Sequence, residues 1–514
     1  MTEKTKWSQF SVLITVFFFW GFVAASNDIL IPVFKEKLHL EQWQSQMISF
    51  AFYVAYTVGS IIYYFISKAS KSGDILNKIG YKNGIALGLV ISAFGTLLFY
   101  PAAETASFLI MITGLFIVGL GFSLQQTAAN PLAIAMGDPK TGSQRLSLAG
   151  GINNFGTTIG PVLVSFAIFG KLAINGTPNV ASIGAVKTPY LILGALFVLV
   201  ALIFKFSNLP NKIETHADDD SAVATPTDIA PEYKLKSRSR KNAVSYGQLA
   251  LGMVAIFIYV GVEVSTASNL PEFMKEHLLL LNNHIVSNTA SAIAAGGVAF
   301  PTENIAPFVS LYWASLMIGR WTSSVGAFDI SMGTKKMLRF VMPYLAFIVF
   351  LIINKIANHD ITPFYIYAFI IVVLIIADIL SKGNPARQLL IFSCLGITAL
   401  IIGMAADGLV SVYAFITVGL FCSTLWPCIF TLAVAGLGKH TNEGSSLLIM
   451  MIMGGGFISL LQGYIASPSI IGIQLSYIVG VACFLYLAFY AIRAKSILKG
   501  QGIDYDTLES EGGH

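Results

Sequence analysis

Apolar residues gather along this chain in stretches of roughly 18–25, the length needed to cross a hydrocarbon core about 30 Å thick. In the first part of the chain the stretches read 9–34, 44–67, 84–103, 107–135, 145–170 and 188–206. A polar segment, Asn208–Ser245, interrupts them. It holds an acidic cluster (Glu214, Asp218, Asp219, Asp220) and then a basic one (Lys234, Lys236, Arg238, Arg240, Lys241), the composition of a disordered linker. Apolar stretches resume at 247–270, 307–328, 338–356, 362–380, 388–406, 408–433, 446–466 and 473–493. The pattern predicts an all-α polytopic membrane protein with about fourteen transmembrane helices.

Charge sets the orientation. Lys4, Lys6, Lys68, Lys71, Lys78, Lys82, Lys140, Arg145, the linker, Lys335, Lys336, Lys439, Arg493, Lys495 and Lys499 all fall on one side of the predicted topology. The opposite loops, such as "PAAETAS" and "ASPSIIG", are poor in Lys and Arg. Both termini and the linker are therefore expected in the cytoplasm, with the chain in the cell's inner (plasma) membrane.

Composition changes the picture little. Of 514 residues, 55% are hydrophobic and 11% charged, about half the charged fraction of a soluble protein. The net charge of +5 fits basic cytoplasmic loops and needs no nucleic-acid partner. Cys394, Cys422, Cys428 and Cys483 all lie inside spans and read as buried small apolar residues, without a disulfide framework or metal spacing. The first apolar run is too long for a signal peptide and lacks a small-residue cleavage site.

The two parts of the chain share local features. "KIGYK" (78–82) and "SMGTKK" (331–336) each close a loop, with Gly80 and Gly333 separated by 253 residues. "KTGS" (140–143) and "NEGS" (442–445) form a second pair, Gly142 and Gly444 lying 302 residues apart. The 49-residue difference accommodates two short crossings and their turns, placing an added helical hairpin at about 338–386. The expected organisation is an N-terminal six-helix half (1–207), a cytoplasmic linker (208–246), a C-terminal half carrying the hairpin (247–497) and a cytoplasmic tail (498–514). Two parallel six-helix halves joined by a long linker is the layout of the major facilitator superfamily, in which substrate sits near the bilayer midplane between the halves.

Few polar residues lie inside the spans. Asp28, in "WGFVAASNDILIP", is the sharpest, because a carboxylate near the bilayer centre costs at least about 2.5–3.5 kcal/mol. It suits proton coupling, or sodium ligation if it stays ionised. Glu263, in the seventh span, is its counterpart in the second half. Arg320 lies near the cytoplasmic end of its span, where a snorkelling, structural side chain is expected. Gln125, Gln126 and Asn130 in "LQQTAANP", with Asn153 and Asn154 in "GINNFGTTIGP", offer uncharged donors and acceptors suited to a polyhydroxylated ligand. Asn27 adds a further amide beside Asp28. Trp20, Trp313 and Trp426 lie well inside spans, and indole faces pack on the C–H faces of sugar rings. The glycines of "MGGGFISLLQG" and "FGTTIG" read as sites of close helix packing.

"WGFVAASNDILIP", "QQTAANP", "RLSLAGGINNFGTTIGP", "YVGVEVS", "YWASLMIGR", "WPCIFTLAVAGLG" and "GSSLLIMMIMGGG" resemble the fucose/galactose/glucose symporters of the major facilitator superfamily. The resemblance implies that Asp28 is the first-helix carboxylate used in proton coupling and that Trp426 contacts sugar. The fucose permease branch has a second carboxylate where this chain has Gln126, whereas the glucose/galactose branch has an amide there. "RLSLAG" lacks a Gln that the family places near the sugar. The expectation is a secondary transporter that imports a neutral hexose such as glucose or galactose with a cation, a proton before sodium. N-acetylglucosamine and fucose are the other substrates, and a non-transporting sugar sensor is the alternative class. No HExxH, CxxC or P-loop points to an enzyme. No cofactor and no resident metal are expected. The expected partners are the monosaccharide, the coupling cation and the lipid bilayer, with the protein a monomer.

Overall fold

Hydrocarbon offers no partner to backbone N–H and C=O groups, so a chain this apolar satisfies them within helices. The computed structural model describes residues 5–37, 42–69, 75–137, 142–169, 187–211, 243–282, 284–300, 302–328 and 330–506. The greater part of the expected linker therefore lies outside the described residues.

The first helices are α1 (Trp7–Lys37), α2 (Gln42–Ala69), α3 (Ile75–Ile79), α4 (Tyr81–Leu97) and α5 (Phe99–Glu104). They are followed by α6 (Phe108–Ala135), α7 (Gly142–Phe169) and α8 (Lys187–Phe206). After the linker come α9 (Gly247–His277), the strands β1 (Leu278–Leu281) and β2 (His284–Ser287), α10 (Ala290–Ala294) and β3 (Val298–Ala299). Then follow α11 (Thr302–Ser324), α12 (Met332–Ile356), α13 (Tyr367–Ser381), α14 (Pro385–Ala405) and α15 (Gly408–Cys422). The chain closes with α16 (Leu425–Val434), α17 (Thr441–Met450), α18 (Gly454–Ile465), α19 (Gly472–Ser476) and α20 (Ile478–Gly500).

Among the described residues, ten helical stretches are long and apolar enough to cross a membrane, and Phe50–Tyr63 and Tyr190–Phe206 are shorter apolar ones. Their outer faces carry large apolar side chains: Phe206 is 80% exposed, Phe369 78% and Leu109 74%. Such a surface is stable against lipid, not water. This is a multi-pass, all-helical membrane fold with one addition. β1 pairs antiparallel with β2 and with β3, in the order β2-β1-β3. Asn282, with φ of 49°, supplies the left-handed backbone that a tight hairpin requires. The apolar pattern alone predicts no element over this Leu-rich run. It ends the seventh span at residue 270, whereas α9 continues through Pro271 to His277.

The chain packs as two units. One comprises Met1–Val254, Phe430–Met453 and Ile497–Ile503. Its α1 and α7 approach closely because a side chain at Gly21 would overlap the backbone of Asn153, and one at Gly156 the backbone of Phe18. Arg145, expected as a cytoplasmic loop charge, is instead fully buried. It donates to the carbonyls of Ala133 and Ile134, among the orphan acceptors that end α6. Within the same unit the Thr57 hydroxyl lies 2.9 Å from the Met450 carbonyl and 2.8 Å from the Met453 sulfur. The helix breaks there into a 3₁₀ turn, Met451–Met453, before α18.

The other unit comprises Ala255–Ile429, Gly454–Ser496 and Asp504–His514. Here α9 meets α18 where Gly454 touches the backbone of Phe257, as the glycine run suggested. Residues of the expected tail are docked: Asp506 pairs with Lys495 at 2.6 Å and Arg387 at 3.4 Å. Three of the four cysteines are buried as expected, but Cys394 is exposed on α14.

Candidate functional site

In the first unit, α1, α2, α6 and α7 hold the amides. Gln125 is completely buried, and its Oε1 accepts from the Trp20 indole Nε1 at 2.8 Å. Its Nε2 donates to Ser92 Oγ at 3.0 Å. Trp20 and Gln125 thus satisfy one another. Gln126, one residue on, turns to a different face and is only half-buried. Its Nε2 donates to Tyr56 Oη on α2 at 3.0 Å. Asn130 lies one turn further along α6 and is buried.

On α7, Asn153 is half-buried and donates from Nδ2 to the Phe17 carbonyl at 3.0 Å, tying α7 to α1. Asn154 is buried, and its Oδ1 has no hydrogen-bond partner among the described residues. A buried acceptor left empty costs roughly 1–3 kcal/mol, so Asn154 is poised for a donor such as a hydroxyl. Asn27 and Asp28 lie in α1, but their side chains fall outside the described residues.

The second unit assembles a charged cluster around Glu263 on α9. Tyr259, one turn earlier, donates its hydroxyl to Glu263 Oε2. Arg320 Nη2, from α11, donates to Tyr259 Oη at 3.3 Å and lies 4.0 Å from the same carboxylate oxygen. The Tyr312 hydroxyl donates to the Glu263 carbonyl at 2.7 Å. Arg320 is only 9% exposed, so it does not snorkel as its position in the sequence suggested. The tail of its helix is buried, and a neighbouring carboxylate supplies the compensating charge. Trp426, half-buried at the start of α16, lies with its ring 6.2 Å from that of Tyr259. Trp313 is half-buried on α11, edge-on to Tyr312 at 5.5 Å.

The structure therefore brings Trp20 to Gln125, and Glu263 to within two side chains of Trp426. Tyr56, Ser92, Tyr259, Tyr312 and Arg320 were not anticipated as part of these groups. One sequence signal was available: tyrosines four residues before Glu263 and eight before Arg320 lie on or near the faces that carry the charges. No group of three or more His, Cys, Asp or Glu side chains among the described residues is arranged to hold a metal ion.

The family profile described as Major Facilitator Superfamily matches residues 10–354. The glucose/galactose transporter of Brucella abortus (biovar 1, strain 9-941) is 31% identical over 492 residues, covering 96% of this chain and 95% of the relative. The L-fucose-proton symporter of Escherichia coli (strain K12) is 25% identical over 496 residues, covering 94% of this chain and 92% of the relative. Among solved structures, the E. coli fucose:proton symporter FucP superposes with a TM-score of 0.63 at 23% identity, covering 94% of this chain and 98% of that one.

Proposed function

The chain belongs to the major facilitator superfamily, among its fucose/galactose/glucose symporters, and from that premise we propose that it imports a neutral hexose, glucose or galactose, together with a proton. The observation that carries the reading is the match to a glucose/galactose transporter along 96% of the chain. The site chemistry supports it. Half-buried amides at Gln126 and Asn153, the partnerless Asn154 Oδ1 and the Trp426 ring suit a polyol with apolar ring faces. By the resemblance, Gln126 stands where the fucose branch has a carboxylate and the glucose/galactose branch an amide, which favours glucose or galactose over fucose.

In this reading Gln126, Asn130, Asn153, Asn154 and Trp426 contact the sugar, with Trp313 nearby. Trp20 and Gln125 shape the wall behind them. Asp28 and Glu263 take the coupling proton. The chain forms two six-helix halves with about fourteen spans, the hairpin at 338–386 being an addition, and both termini are cytoplasmic in the inner membrane. Alternating access follows from rocking of the halves.

The test is uptake of labelled glucose or galactose into proteoliposomes under a proton or a sodium gradient, for the wild type and Asp28→Asn. Uptake driven by the proton gradient and lost in Asp28→Asn, with sugar exchange retained, supports the proposal. Uptake that follows sodium alone replaces the coupling ion. Absence of both uptake and counterflow for every hexose sinks the transport reading and leaves a sensor.

A further inference from the structure

Arg320 does more than neutralise Glu263. The helix of α15 ends at Cys422 and α16 begins at Leu425. In a continuous helix the Ser423 carbonyl would accept from the N–H of residue 427, but that residue is Pro427, which has none. The next carbonyl along, of Thr424, is bonded normally by Cys428 N–H at 3.2 Å. Arg320 supplies the missing donor, its Nε lying 2.9 Å from the Ser423 carbonyl. Close approach is possible because Gly319 faces Ser423, where a side chain would overlap the serine hydroxyl. One guanidinium therefore bonds a proline-vacated carbonyl with Nε and faces the Tyr259–Glu263 pair with Nη2.

The direction of the hydrogen bonds matters. Arg320 donates to the Tyr259 oxygen, and the Tyr259 hydroxyl donates to the carboxylate. That polarity is the one an ionised Glu263 imposes. When the carboxylate takes up a proton, the negative charge facing the guanidinium is gone, while its bonds to Tyr259 Oη and the Ser423 carbonyl run to neutral acceptors. The other titratable groups that interact with Glu263 among the described residues are Tyr312 from α11 and Cys422 from the end of α15. Neither is a cation, so Arg320 is the group whose hold changes.

The geometry points to Arg320 as a positioning residue that relays the charge state of Glu263 to the Ser423–Pro427 kink and so to the Trp426 ring. This deepens the symport reading and rests on it: sugar affinity and protonation become linked through one side chain. It assigns to Arg320 a role in specificity for the loaded state, not a contact with the sugar.

Equilibrium binding of labelled galactose to the purified full-length protein, measured across about pH 5–9, tests it with Arg320→Lys, Arg320→Gln, Glu263→Gln and the double variant. The wild type is expected to bind with a pH-dependent affinity. Arg320→Gln is expected to bind at least about fivefold more weakly and with a flattened pH profile, a size typical of coupling between contacting groups. Arg320→Lys retains the charge but not the fork, and is expected to keep the pH profile at reduced affinity. The double variant is expected to bind no worse than Arg320→Gln alone. Wild-type affinity and pH profile in Arg320→Gln, or losses that simply add in the double variant, overturn the assignment. A wild type that binds no hexose at any pH overturns the sugar reading itself, and the relay with it.

Discussion

The Trp20 indole and the Gln125 amide, 105 residues apart in sequence, bond to each other at 2.8 Å in the buried interior of the first unit. By sequence, both are candidates for sugar contact. A donor and an acceptor that already satisfy each other have little left to offer a ligand, and their bond ties α1 to α6. Gln125→Leu leaves the indole N–H buried without an acceptor, at a cost of about 1–3 kcal/mol. The expected outcome is a lower thermal-unfolding midpoint with an unchanged KM for sugar uptake in the protein that folds. A raised KM at an unchanged midpoint would return Gln125 to the substrate.

Gln126 predicts the opposite behaviour. It is half-buried and uses one amide hydrogen on Tyr56 Oη, so much of its amide stays available. Gln126→Ala is expected to raise the KM for hexose by about tenfold or more, the size of one lost ligand hydrogen bond in a site built to make it. Its unfolding midpoint is expected to stay near that of the wild type. Uptake kinetics beside a thermal-shift assay separate the two outcomes.

Arg145 carries a stability prediction. It is fully buried and donates to the Ala133 and Ile134 carbonyls. Arg145→Met keeps the apolar stem and removes the donors, leaving two buried carbonyls unpaired at roughly 1–3 kcal/mol each. Purified Arg145→Met is expected to unfold at lower temperature than the wild type, with orientation in the membrane unchanged. An inverted topology by protease protection would instead make Arg145 a topogenic loop charge.

The loop between α12 and α13 carries the pH dependence. Burial pushes His359 below its ordinary value of 6.5. The folded chain then binds this proton less readily than the unfolded chain, so stability is full above the unfolded value and declines as pH falls through it. Neighbouring Asp360 is held below the usual carboxylate range, chiefly by the Thr362 backbone N–H at 2.9 Å. Its contribution is present above the unfolded carboxylate value and is lost as pH falls through the folded one. Between about pH 7 and 5 the wild type is expected to lose stability faster than His359→Gln. Parallel curves for the two proteins would remove His359 as the cause.

The helices were legible because a run of 18 or more apolar residues has few other solutions, and the observed ends fall within a few residues of the expected ones at most spans. The β1–β3 sheet was not, because "LLLLNNHIV" is as apolar as a helix and its strands are too short to show a period. Charge near a span end is equally ambiguous, since a long side chain either snorkels or turns inward. For Arg320 the choice was made by Glu263, 57 positions away, and by the absent N–H of Pro427. The amide-rich segments of α6 and α7 stood out by composition. Which of those amides face one another depended on partners such as Trp20 and Tyr56 from other helices.

The contact between Thr57 and Met450 sets a schedule for biosynthesis. Residues 430–453 and 497–503 belong to the unit that begins at the N-terminus, so that unit has missing pieces until nearly the whole chain has been made. At about 5–20 residues per second, residues 255–429 alone occupy the ribosome for roughly 9–35 s. Throughout that interval α2 and α6 have been synthesised while the segment that carries Met450, the partner of Thr57, has not. Ribosome pausing late in the message would lengthen that exposure.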